Sequence, residues 1–213
     1  MNKDLEVISI FGGRGSGKTT KARELLADRK RKRVIVYDLK DEYQLQKVYG
    51  LAEFAKFMRL NWYKNFKISY VPAAKEKNEH ISELSKLCYA LANAQQQDSK
   101  QGKGANLTIL VEEMSVSAPN QKYKEGQGGF EYCVNIAREW GIEIIGVSQR
   151  PAQANPDYRG NSSKTYFFAL WDALDIKAAQ EKLGDKAQSL KSLKPHDFIL
   201  CDQGQIKTGK NKL

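Results

Sequence analysis

The chain has 213 residues, of which 41% are hydrophobic and 10% aromatic; this suffices for the packed core of one large α/β domain and is too little for two domains of ordinary size. Its formal net charge of +10 and pI near 9.4 point to a polyanionic partner. No apolar run approaches the roughly 20 residues that span a bilayer, and the N-terminus Met1–Glu6 has no apolar signal region, so a cytosolic protein without a membrane segment is expected. Cys88, Cys133 and Cys201 form no C-x-x-C pair, and His80 and His196 are isolated. A disulfide framework or a zinc cluster is therefore not expected.

In chain order, Leu5–Phe11 is a predicted strand, followed by Gly12-Gly13-Arg14-Gly15-Ser16-Gly17-Lys18-Thr19 and a helix ending near Lys30. Val34–Tyr37 is a short apolar run ending at Asp38 and predicts a buried strand. Leu51–Leu60 has helical spacing, and Phe66–Val71 alternates as a half-buried strand stopped by Pro72. Glu79 to about Ala94 predicts a long amphipathic helix, Gln95–Asn106 a surface loop, and Leu107–Val111 a buried strand running into Glu112-Glu113. Ser115–Gly129 reads as a polar loop, Phe130 to Trp140 as a helix, and Ile142–Val147 as a strand ending at Ser148-Gln149-Arg150-Pro151. Tyr166–Leu170 and Phe198–Cys201 are the last predicted strands, with a helix from Asp172 to Leu183 between them. This alternation predicts βαβ units and a mainly parallel α/β sheet, with residues 1–204 as one domain and 205–213 as a basic tail.

The Gly12–Thr19 stretch fits GxxxxGK[ST] between a strand and a helix, the setting in which that pattern has a mechanism. Glycines let backbone N–H groups turn inward around a polyphosphate, and the helix N-terminus adds partial positive charge. Gly12, Gly13, Arg14, Gly15, Ser16, Gly17, Lys18, Thr19 and Thr20 are thus the residues expected to bind a nucleoside triphosphate. Lys18 would reach the β- and γ-phosphates, and the Thr19 hydroxyl would hold Mg²⁺. Glu112 and Glu113 close a buried strand, as a phosphate-cleaving site requires. Glu112 is assigned to the metal and Glu113 to the attacking water; the two roles are exchangeable, because many such sites carry Asp at the first position. Gln149, at the end of the next strand, is a candidate to sense the γ-phosphate or to position water. Two basic clusters, Arg29–Arg33 and Lys207, Lys210 and Lys212, suit either nucleic acid or a solubilising surface. Lys122 and Lys124 are the candidates for DNA contact in the long polar loop.

The segment Trp140–Pro151, with its apolar strand and Ser-Gln-Arg-Pro ending, resembles the FtsK/HerA superfamily of DNA-translocating ATPases. The resemblance extends to Asp38-Leu39-Lys40-Asp41-Glu42-Tyr43 and to Arg159-Gly160-Asn161, and spans most of Val7 to about Asp202. It implies a RecA-like P-loop fold, a parallel sheet with helices on both faces, and a homo-oligomeric ring, hexameric or pentameric, with ATP and Mg²⁺ between subunits. It also implies an arginine finger acting across the subunit interface. Arg138 is the matching position and Arg150 and Arg159 are further candidates; a helix C-terminal cation is the plain alternative for Arg138. The bare single-domain design looks like the genome-packaging ATPases of tailless, membrane-containing icosahedral viruses. That implies double-stranded DNA and capsid vertex proteins as partners, and a place in the host cytoplasm or at a packaging vertex of the virion. A small nucleotide kinase, a cellular or plasmid DNA translocase and a phage-assembly ATPase are the alternatives.

Overall fold

The computed structural model describes residues 5–28 and 30–212, so Arg29 of the basic run lies outside the described residues. Wholly buried runs build the centre of the molecule: β1 (Val7–Phe11), β2 (Arg33–Tyr37), β5 (Leu107–Val111) and β6 (Ile142–Ser148). Strands buried on both faces belong to parallel sheets covered on both sides. β3 (Gln46–Tyr49), β4 (Phe66–Val71), β7 (Lys164–Phe167), β8 (Asp197–Asp202) and β9 (Gln205–Lys210) complete a nine-stranded sheet. Its order is β3-β4-β2-β5-β6-β1-β7-β8-β9. Every pairing from β3 to β7 is parallel, and β8 and β9 are antiparallel additions.

The helices are α1 (Lys18–Ala27), α2 (Gly50–Asn61), α3 (Lys77–Lys100), α4 (Met114–Ser117), α5 (Gly129–Asn135), α6 (Pro156–Asn161) and α7 (Ala173–Leu183). Side chains alternate across each strand, and the core divides accordingly. Ile8, Ile10, Val34, Val36, Leu110, Ile145 and Val147 meet Ala22 and Leu26 of α1 on one face. Val7, Phe11, Ile35, Tyr37, Ile109, Val111 and Ile144 meet Phe54, Leu84, Met114, Phe130, Tyr158 and Ile176, contributed by α2 to α7, on the other. Helices cover both faces as expected, but unevenly. Among the described residues α1 is the one helix over its face.

Several elements differ from expectation. The helix expected to stop near Ala94 runs on to Lys100, because Gln95 and Asp98 of its polar third are buried. Gln95 bonds Ala105 O at 2.8 Å, and Asp98 receives the Trp62 indole N–H at 2.5 Å. The helix expected from Phe130 to Trp140 breaks at Ile136 into α5 and a 3₁₀ turn, Ala137–Trp140. Residues 205–213 are not simply a tail: β9 pairs with β8 through a turn at Gln203 and Gly204, whose φ values of 48° and 83° suit a tight hairpin.

The basic run is corrected too. Lys30 and Lys32 are exposed, whereas Arg31 and Arg33 turn inward. Arg33 is buried with its guanidinium 4.3 Å from the Trp62 ring and donates to Ala105 O at 2.9 Å. Arg31 makes a two-pronged pair with buried Glu143, at 2.7 Å on each carboxylate oxygen, and Thr108 donates to the same carboxylate at 2.9 Å. Removing one partner leaves the other charge buried alone. Arg31→Met is therefore expected to lower unfolding free energy by about 3 kcal/mol, read by urea denaturation. A loss no greater than that of Lys32→Met would contradict the pair's structural role.

Candidate phosphate-transfer site

The sheet's register assembles the site. Phe11 pairs with Ser148 and Phe167, and Val111 with Tyr37 and Gly146. The segments leaving β1, β2, β5, β6 and β7 therefore emerge at one edge. The loop after β1 is tied at its start to both neighbours, Gly12 N to Ser148 O at 3.3 Å and Gly13 N to Ala169 O at 2.7 Å. Gly15 and Gly17 take φ of 72° and 107°, a left-handed region that a side chain resists. From the far side, His196 N donates to Ser16 O at 2.8 Å and Asn211 Nδ2 to Gly17 O at 2.7 Å. No side chain caps the N-terminus of α1, so its first N–H groups are free of such a partner.

A cavity of about 420 Å³ opens over this loop, lined by Arg14, Gly15, Lys18, Thr19, Lys40, Glu42, Glu112, Glu113 and Gln149. Five of the residues expected from the sequence to bind nucleotide or do chemistry thus converge with the loop: Lys18, Thr19, Glu112, Glu113 and Gln149. Lys18 is buried and its ammonium folds back onto Gly13 O at 2.8 Å. Desolvation holds its pKa below the usual lysine value, opposed by Glu113 and Glu112. Glu112 is 2% exposed and accepts from the Tyr43 hydroxyl. Burial pushes its pKa up to about 7; the Tyr43 bond opposes this, and Glu42 and Glu113 add to it. Glu113 sits at φ 47°, at the N-cap of α4, a conformation costing a non-glycine residue roughly 1 to 3 kcal/mol. Its carboxylate meets Lys40 Nζ at 3.2 Å and the Gln149 amide at 3.4 Å.

Lys40 and Glu42 are site residues that the motif reading did not assign, although it singled out the segment carrying them. Asp38 folds that segment: wholly buried, it accepts from Ser69 Oγ at 2.9 Å and from the backbone N–H groups of Lys40 and Glu42 at 3.3 and 3.2 Å. Glu42 Oε2 then accepts from Thr19 Oγ1 at 2.9 Å.

The arginines are dispersed. Arg150 is engaged within its own chain, Nε to Asp175 at 2.5 Å and Nη2 to Asp172 at 3.2 Å. Arg159 is largely buried, with Glu181 at 3.7 Å. Arg138 lies in the turn Ala137–Trp140, and its side chain is outside the described residues. Arg138 precedes β6 and Arg159 precedes β7, so both stand toward the sheet end opposite their own phosphate loop. Lys122 and Lys124 are exposed in the loop after α4, away from the cavity lining.

These residues fit a nucleoside triphosphate with Mg²⁺. The loop is a cradle of backbone N–H groups, and the Ser16 hydroxyl within it is buried without a hydrogen-bond partner. Thr19, Glu42 and Glu112 offer the hard oxygen donors that Mg²⁺ selects. Among the described residues no cluster of three His, Cys, Asp or Glu side chains is ready to hold a metal.

The raised Glu112 pKa has a measurable sign. Between the ordinary carboxylate value of 4.5 and about 7, the folded chain keeps a proton that the unfolded chain has released. Stability of the protein therefore falls as pH rises through that window, by about 3 kcal/mol from this group. Glu112→Gln should remove that slope in urea titrations from about pH 5 to pH 8; an unchanged slope would assign it elsewhere.

No protein-family model matches this chain. Protein P9 of the Pseudoalteromonas phage PM2 is 21% identical over 184 residues, covering 86% of this chain and 78% of that protein. The genome-packaging NTPase B204 of Sulfolobus turreted icosahedral virus 2, solved with ATP-γ-S, superposes with a TM-score of 0.73 at 16% identity, and each chain covers 100% of the other. VirB4 of Thermoanaerobacter pseudethanolicus matches at TM-score 0.66 and 11% identity, over 97% of this chain and 89% of that one. The chain thus shares the P-loop α/β fold of these two solved structures along nearly its whole length.

Proposed function

We propose that this protein is an Mg²⁺-dependent ATP hydrolase that forms a homo-oligomeric ring and drives double-stranded DNA, the genome of a virus, into a preformed capsid. The observation that carries the reading is the convergence of Lys18, Thr19, Glu112, Glu113 and Gln149 on one cavity over the glycine loop. The full-length likeness to B204 and the +10 charge support the DNA-packaging half. Capsid vertex proteins are the further partners this implies, with the host cytoplasm as the place of work.

The backbone of Gly13–Thr20 would cradle the phosphates and Lys18 neutralise the β- and γ-oxygens. Thr19 and Glu112 would hold Mg²⁺, which would supply positive charge to offset the charge developing on the transferred phosphoryl group. Thr19 must then exchange its bond to Glu42, and Glu112 must ionise. Glu113 would orient and deprotonate the attacking water once Lys40 yields, and Gln149 would report the γ-phosphate to β6. Arg138 would act on a neighbour's site, an assignment supported by its place at the far end of the sheet. Heterologous contacts that close into a ring suit such sharing.

The decisive experiment measures ATP turnover with and without long duplex DNA, together with mass in solution. DNA-stimulated hydrolysis by a ring is expected; DNA-indifferent phosphoryl transfer by a monomer would favour the nucleotide-kinase alternative. Glu113→Gln should bind ATP without turning it over, and Arg138→Ala should slow hydrolysis about a thousandfold. Mixed rings of the two variants should regain activity, because some interfaces pair an intact Glu113 with an intact Arg138. No recovery in demonstrably mixed rings would count against Arg138 acting in trans. Replacing Lys122 and Lys124 by Gln should lower the slope of log K for DNA against log[salt] by up to about two. An unchanged slope would remove that loop from the DNA path.

A further inference from the structure

Trp171 is 60% exposed, whereas Phe168, Ala169 and Leu170 just before it are 3% exposed or less. A solvent-facing indole at the end of a buried segment leaves a large apolar surface without cover. Its position is specific. A Cβ added to Gly13 would lie 2.4 Å from Trp171 Cζ3 and 3.2 Å from Cε3, so the ring rests directly against the phosphate loop.

The chain on each side of the indole is also held in place. Gly13 N donates to Ala169 O at 2.7 Å and Leu170 N to Leu190 O at 3.4 Å. On the following side, Asp172 caps α7 by accepting from Leu174 N at 2.9 Å and meets Arg150 at 3.2 Å. The backbone on each side of Trp171 is therefore pinned, and no backbone ordering is needed when a ligand meets the ring.

The direction of the ligand follows from strand order. β1 lies between β6 and β7, and the acidic groups stand on the β6 and β5 side. A triphosphate whose last phosphate faces Glu113 and Gln149 runs across the loop toward β7, where Trp171 stands. On the reading of the cavity as a nucleoside triphosphate site, on which this step rests, we infer that Trp171 is the platform on which the nucleoside base stacks. Every base offers a π-face, so stacking recognises a nucleoside without reading its edge. ATP and GTP should then bind within a few-fold of one another.

The test compares a non-hydrolysable ATP analogue with tripolyphosphate, both with Mg²⁺, by calorimetry on wild type, Trp171→Ala and Trp171→Phe. Trp171→Ala should weaken the analogue about tenfold or more and leave tripolyphosphate unchanged, while Trp171→Phe retains most of the affinity. The analogue should also quench indole fluorescence in wild type, and that response should vanish in Trp171→Phe although Trp62 and Trp140 remain. The inference is overturned if Trp171→Ala binds the analogue as wild type does, or loses both ligands equally. It is also overturned if the substitution changes only the mass in solution, which would make Trp171 a subunit contact. Wild type that binds neither ligand would instead overturn the nucleotide reading itself, and the inference with it.

Discussion

Parallel register is the constraint from which the site follows. Because β1, β2, β5, β6 and β7 all run in one direction and their last residues are level, five separate loops must leave at one edge. Ligand sites in open α/β sheets lie outside the carboxyl ends of the strands for this reason. No single loop here holds a complete site. The glycine loop brings N–H groups and a lysine, the β5 end brings carboxylates, the β6 end an amide, and the β2 loop a carboxylate beside Thr19.

The same edge carries an electrostatic burden. Lys18 and Glu112 are both removed from water, and their pKa values move toward neutrality in opposite directions. Neither is matched by a close salt bridge: Lys18 leans on a carbonyl and Glu112 on a phenol. Such groups are stable only because the surrounding structure holds them, and they gain most when a polyanion and its cation arrive together. The partial charges that stabilise the bound state are already paid for in the fold of the empty one.

How much of this was legible in the sequence divides along physical lines. Strands buried on both faces announce themselves as continuous apolar runs, and β1, β2, β5 and β6 were readable for that reason. β3 and β9 were not, because an edge strand buries little: in β3 only Val48 is buried, and β9 is mostly exposed with lysines along it. The loop motif named its own residues, since their chemistry is local. Lys40 and Glu42 join the site only because β2 lies beside β5, which no local pattern states. The basic run misled in the opposite way, since composition cannot reveal that Arg31 and Arg33 face inward while Lys30 and Lys32 face out.

Glu113 joins two levels of the molecule. It is the hinge between the end of β5 and α4, and the loop bearing Lys122 and Lys124 hangs from that short helix. The left-handed backbone at Glu113 sets the direction in which its Cα–Cβ bond leaves the chain, and the side-chain torsions aim the carboxylate from that base. Relaxing that one residue toward an ordinary helical conformation would swing everything downstream of it. The loop's position and the base from which the carboxylate is aimed therefore share one backbone residue, so a shift of either is felt by the other.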